Sequence, residues 1–249
     1  MQPGAIHVGC AGWSLPREFQ HEFAPGESHL QRYASRFDAT EINSSFHRSH
    51  KEWVWRRWAD SVPAGFSFSV KLPKAITHER RLADCEHLLD AFLVEARLLG
   101  DKLACLLVQL PPSLAYDSDV ASRFFAMLRA RYEGDVALEP RHASWFEPHA
   151  DAMLASLRVA RVLADPVRHE PGRAPGGWPG VVYVRLHGSP RVYYSAYDPA
   201  WLGTLAARIR RAADDGQRMW CIFDNTASGA ATGDALTLLR HLAPGRPTP

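Results

Sequence analysis

Polar side chains that could do chemistry follow seven of the eight short apolar runs in this 249-residue sequence, at the point where each run ends. They comprise four acids, three permanent cations and two imidazoles: Glu41, Glu139, Asp165, Asp224, Lys71, Arg141, Arg185, His142 and His187. Opposed charges at close range lower the pKa of a carboxylate beside Arg or Lys, whereas a second carboxylate raises it. A cluster of this composition can do acid/base chemistry.

Four of these residues form the predicted catalytic group. Glu41 and Glu139 would be the acid/base pair, because two carboxylates in different environments supply one site with both an acid and a base. Lys71 would stabilise developing charge or shift the pKa of its neighbours, and His187 would be a second proton carrier. Each residue alone could be structural. Their recurrence favours a shared site, because buried charges are rarely kept without a partner.

Further residues near the same ends are predicted to bind the substrate. The arginines offer planar forks that hold a phosphate or carboxylate, and we expect Arg141 and Arg185 to form an anion clamp. Amide side chains would orient the substrate, and an aromatic ring could stack on the face of a sugar or base. The predicted substrate-binding set is Asn43, Gln109, Arg141, His142, Arg185, Tyr193, Asp224 and Asn225.

The apolar runs have the composition of β-strands, and segments with helical apolar spacing separate them. The predicted strands are residues 6–10, 39–42, 66–70, 103–108, 136–138, 161–164, 181–186 and 220–223. Eight alternating units without a linker between halves predict an α/β fold, a single TIM (β/α)8-type barrel with its site at the carboxyl ends of the strands. A doubly wound sheet is the alternative, but no phosphate-binding loop follows the first strand.

The connection after the sixth predicted strand is the exception to this alternation. Residues 168–180 contain four glycines and three prolines, which predicts a long loop in place of a helix. This loop would either be a lid over the site or be a surface loop with no role in the site.

Composition limits the class of protein and of partner. The chain has 29 Lys plus Arg against 27 Asp plus Glu, a net charge of +2, which predicts no non-specific nucleic-acid binding. No apolar stretch approaches the roughly 18 residues of a membrane span, and the N-terminus lacks a signal-peptide pattern. We therefore expect a single cytoplasmic domain over residues 1–249, with its core at about residues 5–242, that binds a small polar or anionic molecule.

The four cysteines include no C-x-x-C pair, and three of them lie in or beside apolar runs. Buried free thiols are therefore expected in place of disulfides or a zinc cluster. The cysteines are Cys10, Cys85, Cys105 and Cys221.

A divalent metal is the alternative to metal-free chemistry. An oxygen-rich site with one imidazole could be assembled from Glu41, Glu139, Asp165, Asp224 and His187. The three cations at the same strand ends would oppose a metal, and the sequence has no H-E-x-x-H motif. No cofactor and no metal ligand are therefore assigned.

Short motifs at the predicted strand ends occur in a recognisable order over about residues 5–242. They are GCAGWS (9–14), TEINSSF (40–46), FSVK (68–71), ITH (76–78), LVQLPP (107–112), EPRH (139–142), SWF (144–146), VRLHG (184–188) and FDNT (223–226). As a set they resemble the YecE-like family, domain of unknown function family seventy-two. The resemblance implies a TIM-barrel fold and no particular reaction.

Two positions depart from the family pattern. His47 stands where the family usually has Tyr after Phe46, and Asp224 precedes Asn225 where two asparagines are common. The first departure would alter a contact at the strand ends, and the second adds a negative charge there.

The leading hypothesis is an enzyme that uses paired carboxylates and a Lys/Arg cluster for hydrolysis or isomerisation of a small anionic or sugar-like substrate. The first alternative is a metal-assisted phosphodiester or sugar-phosphate enzyme, which would share the carboxylates. The second is a barrel that binds a metabolite without catalysis. The absence of a dinucleotide motif disfavours redox chemistry.

Overall fold

Ten β-strands and seven α-helices lie within residues 3–243, the part of the chain that the computed structural model describes. The strands are β1 (Ile6–Cys10), β2 (Ala39–Ile42), β3 (Ser67–Lys71), β4 (Leu103–Gln109), β5 (Asp135–Glu139), β6 (Val159–Arg161), β7 (Leu163–Asp165), β8 (Gly176–Gly177), β9 (Val181–Leu186) and β10 (Arg218–Phe223). The helices are α1 (His29–Tyr33), α2 (Glu52–Asp60), α3 (Glu86–Ala96), α4 (Ser118–Arg129), α5 (Pro148–Ser156), α6 (Pro199–Asp214) and α7 (Ala230–Leu242).

The strands pair into two sheets. One has the order β2-β3-β4-β5-β6-β8 and the other the order β1-β10-β9-β7. Neighbouring strands run parallel throughout, except that β8 is antiparallel to β6. The predicted α/β class with parallel sheets is confirmed. The predicted closed ring of eight strands is not, because the ladders of residues 3–243 form two separate sheets.

The sixth predicted strand, residues 161–164, is wrong in detail because the chain divides there between the two sheets. Strand β6 pairs with β5, whereas β7 pairs with β9. Val162 lies between them, and its amide donates to the carbonyl of Leu138 at 2.8 Å. At the other side of the molecule an isolated bridge joins Ala11 to Glu41 across the sheet edges.

Side chains alternate between the two faces of each strand, and each face has its own apolar cluster. The larger cluster lies on the face that packs against the helices. The second, which we call the inner cluster, contains small or flat residues from both sheets, including Tyr183 stacked on Trp220 with ring centroids 5.9 Å apart. Its other fully buried members are Ala39, Cys105, Leu107, Ala137, Ala160, Val162, Val181 and Ile222.

Helix α6 shows how the sequence specifies these elements. The side chain of Asp198 accepts from the amides of Ala200 and Trp201, and Pro199 occupies the first helical position. The buried residues Leu202, Leu205, Ala206, Ile209 and Ala213 then recur at helical spacing and pack on the strands. Helix α5 has a weaker apolar pattern, because only Ala150 and Leu154 of it are buried.

Residues 168–180 form a loop without an α-helix, as predicted. The loop contains a helical turn at Glu170–Arg173 and the two-residue strand β8. Gly177 has a φ of +65°, and a Cβ there would lie 2.4 Å from the carbonyl oxygen of Val159. Glycine at this position lets the loop pair closely with β6.

The four cysteines are free and buried, as expected. Across the helices within residues 3–243, none combines the length and the apolarity that crossing a membrane requires.

Candidate active site

The candidate site lies where the inner face of the strands turns from apolar to charged. Glu41 follows Ala39 by two residues, Glu139 follows Ala137 and Arg185 follows Tyr183, so each continues the inner face toward the carboxyl end of its strand. Asp224 likewise follows Ile222 by two residues, and His187 follows Arg185 by two residues. Strand alternation therefore explains why side chains distant in sequence converge.

Arg185 is the centre of this cluster, with only 1% of its surface exposed. Its Nη2 donates to Glu41 Oε1 at 2.7 Å and lies 3.1 Å from Asp224 Oδ2. Its Nη1 donates to Glu139 Oε2 at 3.1 Å. One guanidinium thus holds three carboxylates, which its planar array of five donors allows.

Glu41 is fully buried, and both of its carboxylate oxygens are bonded. Oε2 accepts from the hydroxyl of Tyr183 at 2.8 Å and from Nε of Arg185 at 3.1 Å. Tyr183 lies 2.9 Å from the hydroxyl of Ser69, so the network continues to β3. These contacts orient Arg185 and leave Glu41 no oxygen that faces solvent.

His187 is held between two carboxylates. Its Nδ1 lies 3.0 Å from Asp224 Oδ2, and its Nε2 lies 2.9 Å from Glu139 Oε1. A neutral imidazole can donate from only one nitrogen, whereas the imidazolium donates from both. The arrangement therefore matches the protonated form of His187.

The pKa shifts agree with this arrangement. Burial would lower the pKa of His187, but the charge of Glu139 and the hydrogen bonds to both carboxylates outweigh it and raise the pKa above 6.5. Burial would raise the pKa of Glu139, yet the charges of His187, Arg185 and Arg141 hold it well below its usual value. The pKa of Asp224 is likewise lowered, because Arg185 and His187 outweigh burial.

Lys71 ends β3 beside this cluster, and its ammonium lies 4.1 Å from the centre of the Phe46 ring. Among residues 3–243, no carboxylate oxygen lies within 4.0 Å of its nitrogen. Burial and the charge of Arg185 lower the pKa of Lys71 to about 8, although Glu41, Glu139 and Asp224 act in the opposite direction. Lys71 is therefore a buried cation without an ion-pair partner in the described part of the chain.

A pocket opens beside Glu139, Arg141 and His187. Its empty space measures about 460 Å3 with the open solvent at its entrance included. Residues of the loop after β7, including Arg168 and His169, also line it. The loop of residues 168–180, predicted to be either a lid or a surface loop with no role in the site, thus forms part of the pocket wall.

Arg141 joins the pocket to the charged cluster. Its Nη2 lies 2.7 Å from Glu139 Oε1 and 3.4 Å from His187 Nε2, and 9% of its side chain is exposed. Its Nε is buried and lacks a hydrogen-bond partner within residues 3–243. An unpaired buried donor is costly, so a ligand oxygen bound here would stabilise it.

The remaining predicted substrate-binding residues occupy varied positions. Gln109 ends β4 in register with Glu139, and Tyr193 packs its ring edge on His187 with centroids 5.7 Å apart. Asn43 has a buried, unpaired Oδ1. His142 and Asn225 make local structural bonds, His142 Nδ1 to Ser144 Oγ at 2.9 Å and Asn225 Nδ2 to Asp234 Oδ2 at 2.7 Å.

Sequence reasoning missed Tyr183 and the pocket wall formed by Arg168 and His169. Tyr183 stands two residues before Arg185 on β9, so the period of two could have placed it on the same face. No comparable signal marks the loop residues. His47, one of the two departures from the family pattern, is exposed and contacts Phe46 edge-on with centroids 4.9 Å apart.

The donor groups at this site do not fit a divalent metal. Within residues 3–243 no group of three or more His, Cys, Asp or Glu side chains is arranged to hold one. Arg185 occupies the space between the carboxylates of Glu41, Glu139 and Asp224, and Asp165 instead accepts from the hydroxyl of Tyr197 at 2.9 Å. A metal ion would have to displace the guanidinium.

Known proteins resemble this chain in sequence and in fold. UPF0759 protein YunF of Bacillus subtilis (strain 168) is 29% identical over 201 residues, which cover 74% of this chain and 70% of that protein. UPF0759 protein YecE of Escherichia coli (strain K12) is 26% identical over 165 residues, 64% of this chain and 59% of the relative. The crystal structures of DUF72 family proteins from Thermotoga maritima MSB8 and Enterococcus faecalis V583 each superpose with a TM-score of 0.77.

These two solved structures share only 21% and 20% of their residues with this chain, so they support the fold alone. The T. maritima comparison covers 96% of this chain and 99% of the solved one, and the E. faecalis comparison covers 95% of each. The sequence model of the family described as "Protein of unknown function DUF72" matches residues 7–249. Because that match spans nearly the whole chain, the protein belongs to the DUF72 family.

Proposed function

We propose that this protein is an enzyme that performs acid/base chemistry, hydrolysis or isomerisation, on a small anionic or sugar-like molecule. The observation that carries the proposal is the position of His187, bonded to Glu139 and Asp224 at the edge of a pocket that Arg141 also lines. A buried imidazole whose proton is held by two carboxylates can act as a general acid, and after proton loss as a base.

We further propose that the two sheets close as a TIM-type barrel and that residues 1–249 are one domain. Support comes from the inner cluster, which takes side chains from both sheets, and from the bridge between Ala11 and Glu41. A second link is the bond from the amide of Val162 to the carbonyl of Leu138. The site would then lie at the carboxyl ends of the strands, where barrel enzymes place their chemistry.

The proposed roles of Glu41, Asp224 and Arg185 differ from those expected from the sequence. Glu139 and Asp224 form the carboxylate pair around His187, whereas Glu41 positions Arg185 because both of its oxygens are bonded inside the protein. The positive charge of Arg185 helps to lower the pKa values of Glu139 and Asp224. The proton that moves is the one on His187.

The cationic side chains at the site indicate which chemical group the substrate carries. Arg141 has an unpaired Nε beside the pocket, and Arg168 lines the same pocket. Lys71 lacks an ion-pair partner in the described part of the chain. A carboxylate or phosphate group would be held by these charges, and a sugar ring could pack on Tyr193.

The test is turnover of a panel of sugar phosphates, phosphate esters, glycosides and keto acids in heavy water. New carbon–deuterium signals in the NMR spectrum would report isomerisation, and released phosphate or sugar would report hydrolysis. We expect turnover of at least one anionic member, and a loss of roughly 100-fold or more in His187→Gln.

The matched control is His87→Gln, because His87 is an exposed residue of α3. It should retain full turnover. Binding of a panel member without turnover would contradict the enzyme proposal and favour the metabolite-binding alternative. Turnover that depends on an added divalent metal would favour the metal-assisted alternative instead.

A further inference from the structure

We propose that Lys71 is a nucleophile whose amine forms an imine with an aldehyde or ketone that carries a carboxylate or phosphate group. This inference deepens the proposed function and rests on the same site. It names the substrate class, an anionic carbonyl compound, and gives Lys71 a covalent role.

The surroundings of Lys71 leave its amine free to react. The three nearby carboxylates are taken by Arg185, which bonds all of them. Lys71 is 9% exposed, so part of the residue is open to solvent. The Phe46 ring beneath the nitrogen offers an apolar contact for the carbon skeleton of a bound carbonyl compound.

The other lysines have ordinary surroundings. The chain has four in all. Lys102 donates to the carbonyls of Ala59 and Val62, Lys74 pairs with Glu79 at 3.3 Å, and Lys51 is exposed. Lys71 is the one among these four that is buried beside another cation.

Burial beside Arg185 makes the neutral amine accessible near physiological pH. Because the pKa of Lys71 is lowered to about 8, roughly a quarter of it is neutral at about pH 7.5, against about a thousandth for a lysine with the usual value of 10.5. Desolvation and a neighbouring cation are the two devices that activate a lysine toward carbonyl carbon.

The buried charges explain why the carbonyl compound should be an anion. Glu41, Glu139 and Asp224 carry three formal negative charges, whereas Arg141, Arg185, the imidazolium of His187 and the iminium formed at Lys71 would carry four positive ones. One negative charge on the substrate would balance the set. Arg141, which lines the pocket and has an unpaired Nε, is a donor that can bind it.

The covalent step is balanced without an oxidant or reductant. The neutral amine attacks the carbonyl carbon, a carbon–nitrogen bond forms, and one proton moves from the nitrogen to the carbonyl oxygen. The carbon–oxygen bond of this carbinolamine then breaks as a second proton converts the hydroxyl to water. Overall, ketone or aldehyde, amine and one proton give an iminium ion and water, and the iminium keeps the positive charge at Lys71.

The experiment is reductive trapping of the full-length protein at pH 7.5. The protein is incubated with glyoxylate, pyruvate or glyceraldehyde 3-phosphate, or with acetaldehyde or acetone as neutral comparators, and sodium cyanoborohydride reduces any iminium to a stable secondary amine. Intact mass and peptide mapping then assign the adduct among the four lysines. We expect one adduct per chain, on Lys71, formed about tenfold or more faster than on Lys51 or Lys74.

Variants separate imine formation from general lysine reactivity. Lys71→Arg keeps the charge and should abolish the fast adduct, whereas Lys74→Arg should leave it unchanged. Arg141→Met should slow labelling by the anionic compounds more than labelling by the neutral ones. Equal labelling of Lys51, Lys71 and Lys74, or no preference for anionic compounds, would overturn the proposal.

Failure of this inference can be told from failure of the proposed function. If the wild-type protein turns over a panel member in a His187-dependent manner and Lys71 is never trapped with that compound, acid/base catalysis stands and the imine is wrong. The main readout uses the wild-type chain, so it does not depend on whether a variant folds.

Discussion

The ring of His187 and the carboxylate of Asp224 are joined by a hydrogen bond of 3.0 Å between Nδ1 and Oδ2, and both residues are buried. The same carboxylate oxygen lies 3.1 Å from Nη2 of Arg185, so the imidazole and the guanidinium share one anion. Asp224 favours a proton on His187, whereas Arg185 lowers the pKa of the ring. The proton affinity of His187 is therefore a balance that single substitutions can change.

The contribution of His187, Glu139 and Asp224 to the free energy of unfolding should be greatest between about pH 4.5 and pH 6.5. The folded pKa of His187 is raised above 6.5, so its stabilising contribution is complete below that pH and is lost as the pH rises through the folded value. The folded pKa values of Glu139 and Asp224 are lowered from 4.5 and 3.8, so their contributions are complete above about pH 4.5 and decline at lower pH.

Urea unfolding measured between pH 3 and pH 9 checks this prediction. In Asp224→Asn, which removes one of the paired charges, the free energy of unfolding should rise less at low pH and fall less above pH 6.5 than in the wild type. A wild-type profile as shallow as that of the variant would contradict the predicted coupling.

Replacing Arg185 by Met should cost roughly 3–5 kcal/mol of unfolding free energy, because three buried carboxylates lose their shared partner. The matched control is Arg56→Met, since the exposed pair of Arg56 with Glu52 on α2 contributes no more than about 0.5 kcal/mol. Chemical denaturation of both variants at neutral pH measures the difference. Equal losses in the two variants would show that Arg185 does not hold the cluster together.

Arg141→Met should weaken the binding of inorganic phosphate by roughly ten- to a hundredfold, because it removes the unpaired Nε beside the pocket. Isothermal titration calorimetry at low ionic strength measures the affinity. Arg173→Met is the control, since Arg173 is exposed on the loop of residues 168–180 and pairs with Glu170. If both variants bind phosphate as the wild type does, Arg141 is not the anion donor.

Gly177→Ala should lower the unfolding free energy by more than about 1 kcal/mol, because alanine is strained at a φ of +65° and its Cβ would meet the Val159 carbonyl. Gly65→Ala is the control, as an added Cβ there has no atom within 4 Å. Denaturation gives the stability, and proteolysis within residues 168–180 should be faster in the first variant. Similar proteolysis of both would indicate that β8 does not hold the pocket wall.

The site was predictable from sequence to the extent that it follows strand alternation. Glu41, Glu139 and Arg185 end predicted strands on one face, and parallel strands bring those ends together. Which partner each side chain binds was not predictable. Oε2 of Glu41 accepts from Tyr183, which belongs to the other sheet and lies 142 residues away in sequence.

The fold shows the same limit. The apolar runs located the strands, but periodicity does not report which strand pairs with which. The predicted sixth strand is divided at Val162 because β6, before it, pairs with β5, whereas β7, after it, pairs with β9. The cytoplasmic location stays a prediction from the N-terminal sequence.

The pKa of His187 tests the central claim most directly, because the proposed chemistry requires this ring to carry a proton near neutral pH. Proton–nitrogen NMR of the imidazoles, with the His187 signal assigned by its loss in His187→Gln, gives the value in the wild type and in Asp224→Asn. We predict a wild-type pKa above 6.5 and a decrease of about 1 unit or more in the variant. A wild-type pKa at or below 6.5, unchanged in Asp224→Asn, would contradict the account.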